Sequence, residues 1–248
     1  MINCSTTPIN LKNVSVQFGT AVVHKDISFR IEQGEVVTIM GPSGTGKTLL
    51  LKMMIGLLKA TAGEVNIFGS NVANVTDEEM QEIRTNIGML FQGAALFDSL
   101  SVFENVAYSL RERLNYPEDQ IASIVSEKLQ LVNLSGIEHK FPSQLSGGQR
   151  KRIGLARALA SSPKVMLFDE PTTGLDPTSV RLIDDLIINL KRDYAITSII
   201  VTHDMESAKR VSDRWILINN GLVVADGKVG EVSKNELVHN FVAGNWEE

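Results

Sequence analysis

The stretch GPSGTGKT at 41–48 carries the spacing G-x-x-x-x-G-K-[ST] in full. Glycines at 41, 44 and 46 let backbone N–H groups turn inward around phosphate oxygens with no Cβ in the way. Ser43 and Thr45 complete the loop, and Leu49 follows it. VVTIM before the loop reads as a strand and LLLKMMIGLL after it as a helix, the context that a phosphate cradle requires. The helix N-terminus adds partial positive charge. Lys47 would reach the β- and γ-phosphates of a nucleotide, and the Thr48 hydroxyl would ligate Mg²⁺.

KVMLFDEP at 164–171 is an apolar strand that ends in two carboxylates. Beside a phosphate loop, Asp169 suits a Mg²⁺ held through water, and Glu170 suits a base for an attacking water. Mg²⁺ dehydrates reluctantly, so one or two carboxylates plus phosphates form a sufficient ligand set. His203 ends the next apolar run, SIIVTHD. Alone it would read as structural; at the same sheet edge as Glu170 its ring can donate to a γ-phosphate. Gln92, after IGMLF, reads locally as a polar residue leaving a strand.

A second phosphate-like segment, QLSGGQRKR at 144–152, lies a hundred residues downstream. Ser146 and Gln149 form a capping-box pattern. That pattern does not explain Gly147 and Gly148 in a first helical turn, where each costs up to ~1 kcal/mol. A helix start stripped of side chains is an anion site. Arg150, Lys151 and Arg152 read as solvated or structural charge.

These residues need a sheet to collect them. The runs at 36–40, 164–170 and 198–204 are short, nearly continuous and rich in β-branched residues, as in strands of a parallel sheet covered on both faces. Each ends on polar or glycine chemistry, and open α/β sheets bind ligands beyond those carboxyl ends. The first forty residues alternate instead. Val14, Val16 and Phe18 fall on one face and Ile27, Phe29 and Ile31 on another, which predicts antiparallel strands with one solvated side. Residues 93–160 read as helical, with Ser101 and Glu104 starting one helix. The expected organisation is one domain over 1–248. Residues 1–92 and 161–227 form its core, 93–160 are inserted helices, and 228–248 form a short helix with an acidic end.

The gross numbers limit the alternatives. The 248 residues are 43% hydrophobic and 21% charged, with a net charge of −5, so no basic field argues for nucleic acid. The single cysteine, Cys4, excludes an internal disulfide and a cysteine zinc site. No run approaches the ~20 apolar residues of a membrane span. The start MINCSTTPIN has neither a basic nor an apolar stretch, so no secretory leader is expected.

Taken in order, the motifs resemble the nucleotide-binding subunit of an ABC transporter along essentially the whole chain. They are the phosphate loop, glutamine loop Gln92, signature LSGGQ at 145–149, strand end Asp169–Glu170, GLD at 174–176 and switch histidine 203. The resemblance implies an α/β P-loop NTPase core with a mostly parallel sheet, an N-terminal antiparallel β subdomain and an inserted helical subdomain. It implies ATP and Mg²⁺ as ligands, with Gln92 joining Thr48 and Asp169 around the metal. Phe18, just before Gly19, matches the aromatic that stacks on adenine. Such subunits work as head-to-tail dimers. Ser146 and Gly148 would then touch the γ-phosphate bound by the partner copy's phosphate loop, with Gly147, Gln149 and Asp176 beside it.

The segment MLFQGAALFDSLSVFENVAYSLRER at 89–113 further resembles the ATPases of Mla/Mce-type lipid transporters. That implies a peripheral place on the cytoplasmic face of the inner (cell) membrane, with multi-pass permease subunits docking near 93–108. Leu96, Phe97, Leu100 and Phe103 would offer the apolar surface, or else pack within the helical insertion. A substrate-binding Mce-type protein and a small accessory protein are further implied partners; nucleic acid is not. Mla-type ATPases can carry an extension that embraces a neighbouring subunit; whether the tail of this sequence contributes such contacts is left open by its residues. Two rivals share these motifs. One is an importer ATPase for amino acids or another small solute, and the other a soluble ABC ATPase acting on DNA or the ribosome.

Overall fold

The computed structural model describes residues 7–243. The chain opens with strands β1 (Ile9–Phe18), β2 (Ala21–Ile31) and β3 (Val36–Met40), then helix α1 (Lys47–Met54). Strands β4 (Ala62–Ile67) and β5 (Ser70–Asn71), helix α2 (Asp77–Thr85) and strand β6 (Ile87–Leu90) follow. Helices α3 (Val102–Glu112), α4 (Glu118–Leu131) and α5 (Gly147–Leu159) lead to β7 (Val165–Asp169). Then come α6 (Pro177–Tyr194), β8 (Thr197–Val201), α7 (Met205–Val211), β9 (Arg214–Asn219), β10 (Leu222–Lys228), α8 (Val229–Val232) and α9 (Glu236–Val242).

The strands form two sheets, an antiparallel one ordered β2-β1-β4-β5 and a six-stranded one ordered β10-β9-β3-β8-β7-β6. In the second sheet only the β9–β10 pair is antiparallel. Side-chain alternation divides its central strands between two cores. Val37, Ile39, Val165, Leu167, Ile199 and Val201 face the antiparallel sheet and α1. Val36, Met166, Phe168 and Ile200 face the core formed with α3, α4, α5 and α6. Burial on both sides accounts for their nearly continuous apolar sequence.

Three local expectations change. Phe18 does not share the buried face of Val14 and Val16: the β1–β2 register shifts between Val16 and Gln17, leaving Phe18 50% exposed. The helix after the phosphate loop ends at Met54, because Gly56 takes a left-handed φ of 65° that terminates a helix. Beyond residue 228 stand two short helices, α8 and α9; the acidic end lies outside the described residues.

Candidate active site

The phosphate loop leaves β3 against its neighbour β9. A Cβ on Gly41 would lie 2.1 Å from the Ile218 carbonyl oxygen, so only glycine fits. Gly46, the N-cap of α1, has φ 80°. A Cβ there would sit 2.5 Å from Val23 Cγ1 and 2.8 Å from His24 Nε2. No side chain caps α1 and no acid occupies its first turn, so its amides stay available to an anion. Thr45 Oγ1 donates to the Pro42 carbonyl at 2.9 Å, while Ser43 and Gly44 are exposed on the loop and Leu49 is half-buried.

Lys47 is buried and donates from Nζ to the carbonyls of Gly41 and Pro42, both at 2.8 Å. Burial lowers the pKa of its ammonium, and the carboxylates of Glu170 and Asp169 act the other way. The amine is thereby held over the loop, where phosphate oxygens can take over from the carbonyls.

Across from the loop, Thr48 Oγ1 donates to Asp169 Oδ1 at 2.9 Å. Burial raises the pKa of Asp169, with the Thr48 hydrogen bond opposing. Glu170 is buried and takes a left-handed φ of 50°, a strained conformation of the kind that gathers at functional sites. Its N–H donates to the Val201 carbonyl at 2.8 Å, and Oε2 accepts from Thr173 Oγ1 at 2.8 Å. His203 Nε2 lies 3.4 Å from Glu170 Oε1. Gln92 is exposed just past β6, whose neighbour in the sheet is β7.

A metal would fit only in part on protein ligands. Among the described residues no three His, Cys, Asp or Glu side chains are grouped to hold one. One hydroxyl and one carboxylate converge, a set that suits Mg²⁺ completed by phosphate oxygens and water.

The second group of residues stands apart. Ser146 Oγ accepts from Gln149 N at 3.2 Å, and Gln149 Oε1 accepts from Ser146 N at 2.9 Å. Among the described residues nothing accepts the Ser146 hydroxyl proton. Gly148 is buried against α6, where a Cβ would lie 2.7 Å from Ser179 Oγ. Gly147 is exposed, with only Leu175 near, at 3.9 Å, so none of the described residues demands glycine there. Asp176 caps α6, accepting from the Ser179 hydroxyl and from the N–H groups of Ser179 and Thr178; the hydroxyl bond, then the Ser179 N–H bond, lower its carboxyl pKa. Among the described residues, no hydrogen bond or ion pair joins Ser146, Gly147, Gly148, Gln149 or Asp176 to the phosphate loop.

The cations after the signature are structural. Arg150 donates to the Leu145 carbonyl, Arg152 to those of Val132 and Asn133, and Lys151 to those of Glu170 and Thr173. Sequence reasoning missed three supporting residues: Lys151 as a contact of Glu170, Thr173, and His24 beneath the loop. Only His24 left a trace, as a polar residue at a buried position of β2.

A family model described as ABC transporter matches residues 24–173. The chain is 41% identical over 238 residues to "Probable ribonucleotide transport ATP-binding protein mkl" of Mycobacterium leprae, covering 95% of this chain and 69% of that protein. It is 41% identical over 219 residues to the intermembrane phospholipid transport system ATP-binding protein MlaF of Haemophilus influenzae, covering 88% of this chain and 83% of that one. A solved dimeric ATP-binding cassette in a post-hydrolysis state, bound to ADP and Pi, superposes with a TM-score of 0.81. That structure is 34% identical and covers 89% of this chain and 98% of its own.

Proposed function

The chain belongs to the ABC transporter family and is an ATP-binding, ATP-hydrolysing subunit; on that premise we propose that it powers the movement of phospholipid or another lipid between membranes. The observation that carries the catalytic assignment is the convergence of Lys47, the Thr48–Asp169 pair and the Glu170–His203 pair at one sheet edge. Lys47 and the amides of α1 stabilise charge on the transferring phosphoryl group. Glu170 orients a water and accepts its proton at a carboxylate oxygen. His203 donates a ring N–H to the γ-phosphate, and Phe18 offers a face to the adenine. Thr48 and Asp169, the latter through water and with Gln92 beside it, would hold Mg²⁺, which supplies charge neutralisation on the β- and γ-phosphates when bound. Ser146, Gly147, Gly148 and Gln149, with Asp176, complete the site of a second copy.

The transport half of the reading rests on a groove of about 370 Å³ beside residues 93–108. Phe91, Phe97 and Tyr108 line it together with Arg84, Arg113 and Arg157. Arg157 donates to the carbonyls of Ala94 and Ala95 and sits 6.0 Å from the Phe97 ring. Among the described residues none of the three arginines forms an ion pair. Arg84 donates to the carbonyls of Ile55 and Gly56 and Arg113 to the Gln81 side chain, so the cations are held in place with no carboxylate partner among those residues, which suits a cytoplasmic segment of a multi-pass permease that brings one. Among the described residues, no helix is long and apolar enough to cross a membrane, so attachment through such a partner is the proposed arrangement. Mce-type and small accessory proteins are further proposed partners.

One preparation tests both halves. Glu170→Gln chain purified with its membrane partner should retain ATP while turnover falls about 10²-fold or more, and the complex should carry bound phospholipid. Turnover at the wild-type rate would remove Glu170 as the base. A complex that instead recruits a binding protein for a small polar solute would replace the lipid assignment with the importer reading; the ribonucleotide transport in the name of mkl is consistent with a small solute.

A further inference from the structure

Lys151 is buried, one helical turn along α5 from Gly147 and Gly148, so all three lie toward one side of the helix. Its ammonium meets no carboxylate within ion-pair distance among the described residues. It donates instead to the Glu170 carbonyl at 2.9 Å and the Thr173 carbonyl at 2.8 Å. Between those carbonyls runs the turn that starts at Glu170, with its left-handed φ of 50°. The Thr173 hydroxyl donates back to Glu170 Oε2 at 2.8 Å. One ammonium thus grips both ends of a turn whose interior bond aims the carboxylate.

Packing alone does not account for a lysine here. A buried ammonium loses its hydration, and an apolar side chain of similar volume would fill the space without that cost. Burial accordingly lowers the pKa of Lys151, with Glu170 opposing. The neighbouring cations differ: Arg150 and Arg152 bind carbonyls at the start of α5 and the end of α4, away from Glu170.

We propose that Lys151 is a positioning residue that fixes the Glu170–Thr173 turn to the signature helix, so that the helix start offered to a partner's nucleotide and the base of the chain's own site move as one piece. The inference rests on the reading of Glu170 as base and of Gly147–Gly148 as the partner-facing turn. In the dimer each nucleotide would touch one chain's Glu170 directly and reach the other chain's Glu170 through α5 and Lys151. Lys151 itself touches neither substrate nor reacting atoms.

A double-mutant cycle on the full-length chain, with its membrane partner where turnover requires it, tests the proposal. The four proteins are wild type, Lys151→Met, Glu170→Gln and the double variant, read for kcat, KM for ATP, nucleotide binding and melting temperature. Lys151→Met should lower kcat about tenfold to a hundredfold while KM stays within about threefold, because the misplaced group is catalytic and the phosphate loop is intact. With Glu170 already removed, Lys151→Met should cost no more than about twofold further. Lys151→Arg, which keeps donors at similar reach, should restore most of kcat. A Lys151→Met kcat within about twofold of wild type, or losses that multiply in the double variant, overturns the proposal. Wild-type turnover by Glu170→Gln alone would instead sink the base assignment and leave a distinct signature. If Lys151→Met does not fold, Lys151→Gln, with its shorter amide donor, is put through the same cycle.

Discussion

At the scale of the residue, the site depends on polar groups deprived of water. His24 is fully buried under the phosphate loop, with Nε2 3.0 Å from the Thr45 carbonyl and Nδ1 without a partner. With a carbonyl as its neighbour, Nε2 must carry the proton, which leaves Nδ1 as a buried acceptor. Burial lowers the pKa of the ring, and the Thr45 carbonyl raises it by less. The sign follows. A histidine whose pKa is lowered by folding contributes stability above its unfolded value, about 6.5, and that contribution is lost as pH falls toward the folded value. Between pH 7.5 and 5.5 the wild-type melting temperature should therefore drop by about 2 °C or more beyond that of His24→Gln. Asp169 acts in the opposite direction, since burial raises its pKa, but it is common to both proteins and cancels in the difference. Parallel melting curves would remove His24 as a source of the pH dependence.

The element that matters most is α5. Its first turn holds two glycines, each costing about 1 kcal/mol, while its capping box returns only about 1 kcal/mol. Helix propensity cannot explain that turn, and the glycines have separate reasons. Gly148 lets α5 rest on Ser179, and Gly154 lets it rest on β6, where a Cβ would lie 3.0 Å from Leu90 Cδ1 and 3.2 Å from Ala94 Cβ. A Cβ on Gly147 would meet only Leu175, at an ordinary contact distance of 3.9 Å. Gly154→Val should thus overpack the seam and cost about 1–3 kcal/mol, a fall of roughly 3–10 °C in melting temperature. Gly147→Ala should leave stability unchanged or slightly raised, given the helix preference for alanine, yet lower ATP turnover. Both are read by calorimetry and a phosphate-release assay. Full activity in Gly147→Ala would mean that nothing approaches the helix start there.

At the scale of the whole molecule, each chain presents two unlike surfaces: a phosphate loop with its base, and a signature turn that, among the described residues, no hydrogen bond or ion pair joins to that loop. A head-to-tail pair would complete both. Lys47→Ala and Ser146→Arg should each be nearly inactive alone. Mixed, they should recover up to about a quarter of wild-type activity, since half of the dimers are mixed and each has one intact composite site with its two good halves on different chains. No recovery on mixing, with dimers demonstrably formed, would favour a site completed within one chain.

The candidate chemistry and its order along the chain are legible in the residues alone. GPSGTGKT, DE after an apolar strand and LSGGQ are local patterns whose backbone demands can be read residue by residue. The doubly buried strands were equally legible, because burial on two faces leaves a nearly continuous apolar run at 36–40, 165–168 and 199–201. The helix α2 left a signal that went unread, the capping pair Thr76 and Glu79. Tertiary structure alone decided the rest. The bulged register of β1 that exposes Phe18 depends on pairing with β2, and the role of His24 depends on a loop 21 residues away. Lys151 is the clearest case. In sequence it is the middle of three cations, where solvation is the ordinary expectation. Its side chain is buried because the tertiary fold brings the Glu170 and Thr173 carbonyls, about twenty residues away in sequence, against α5, and long-range packing of that kind leaves no periodic trace in the residues it serves.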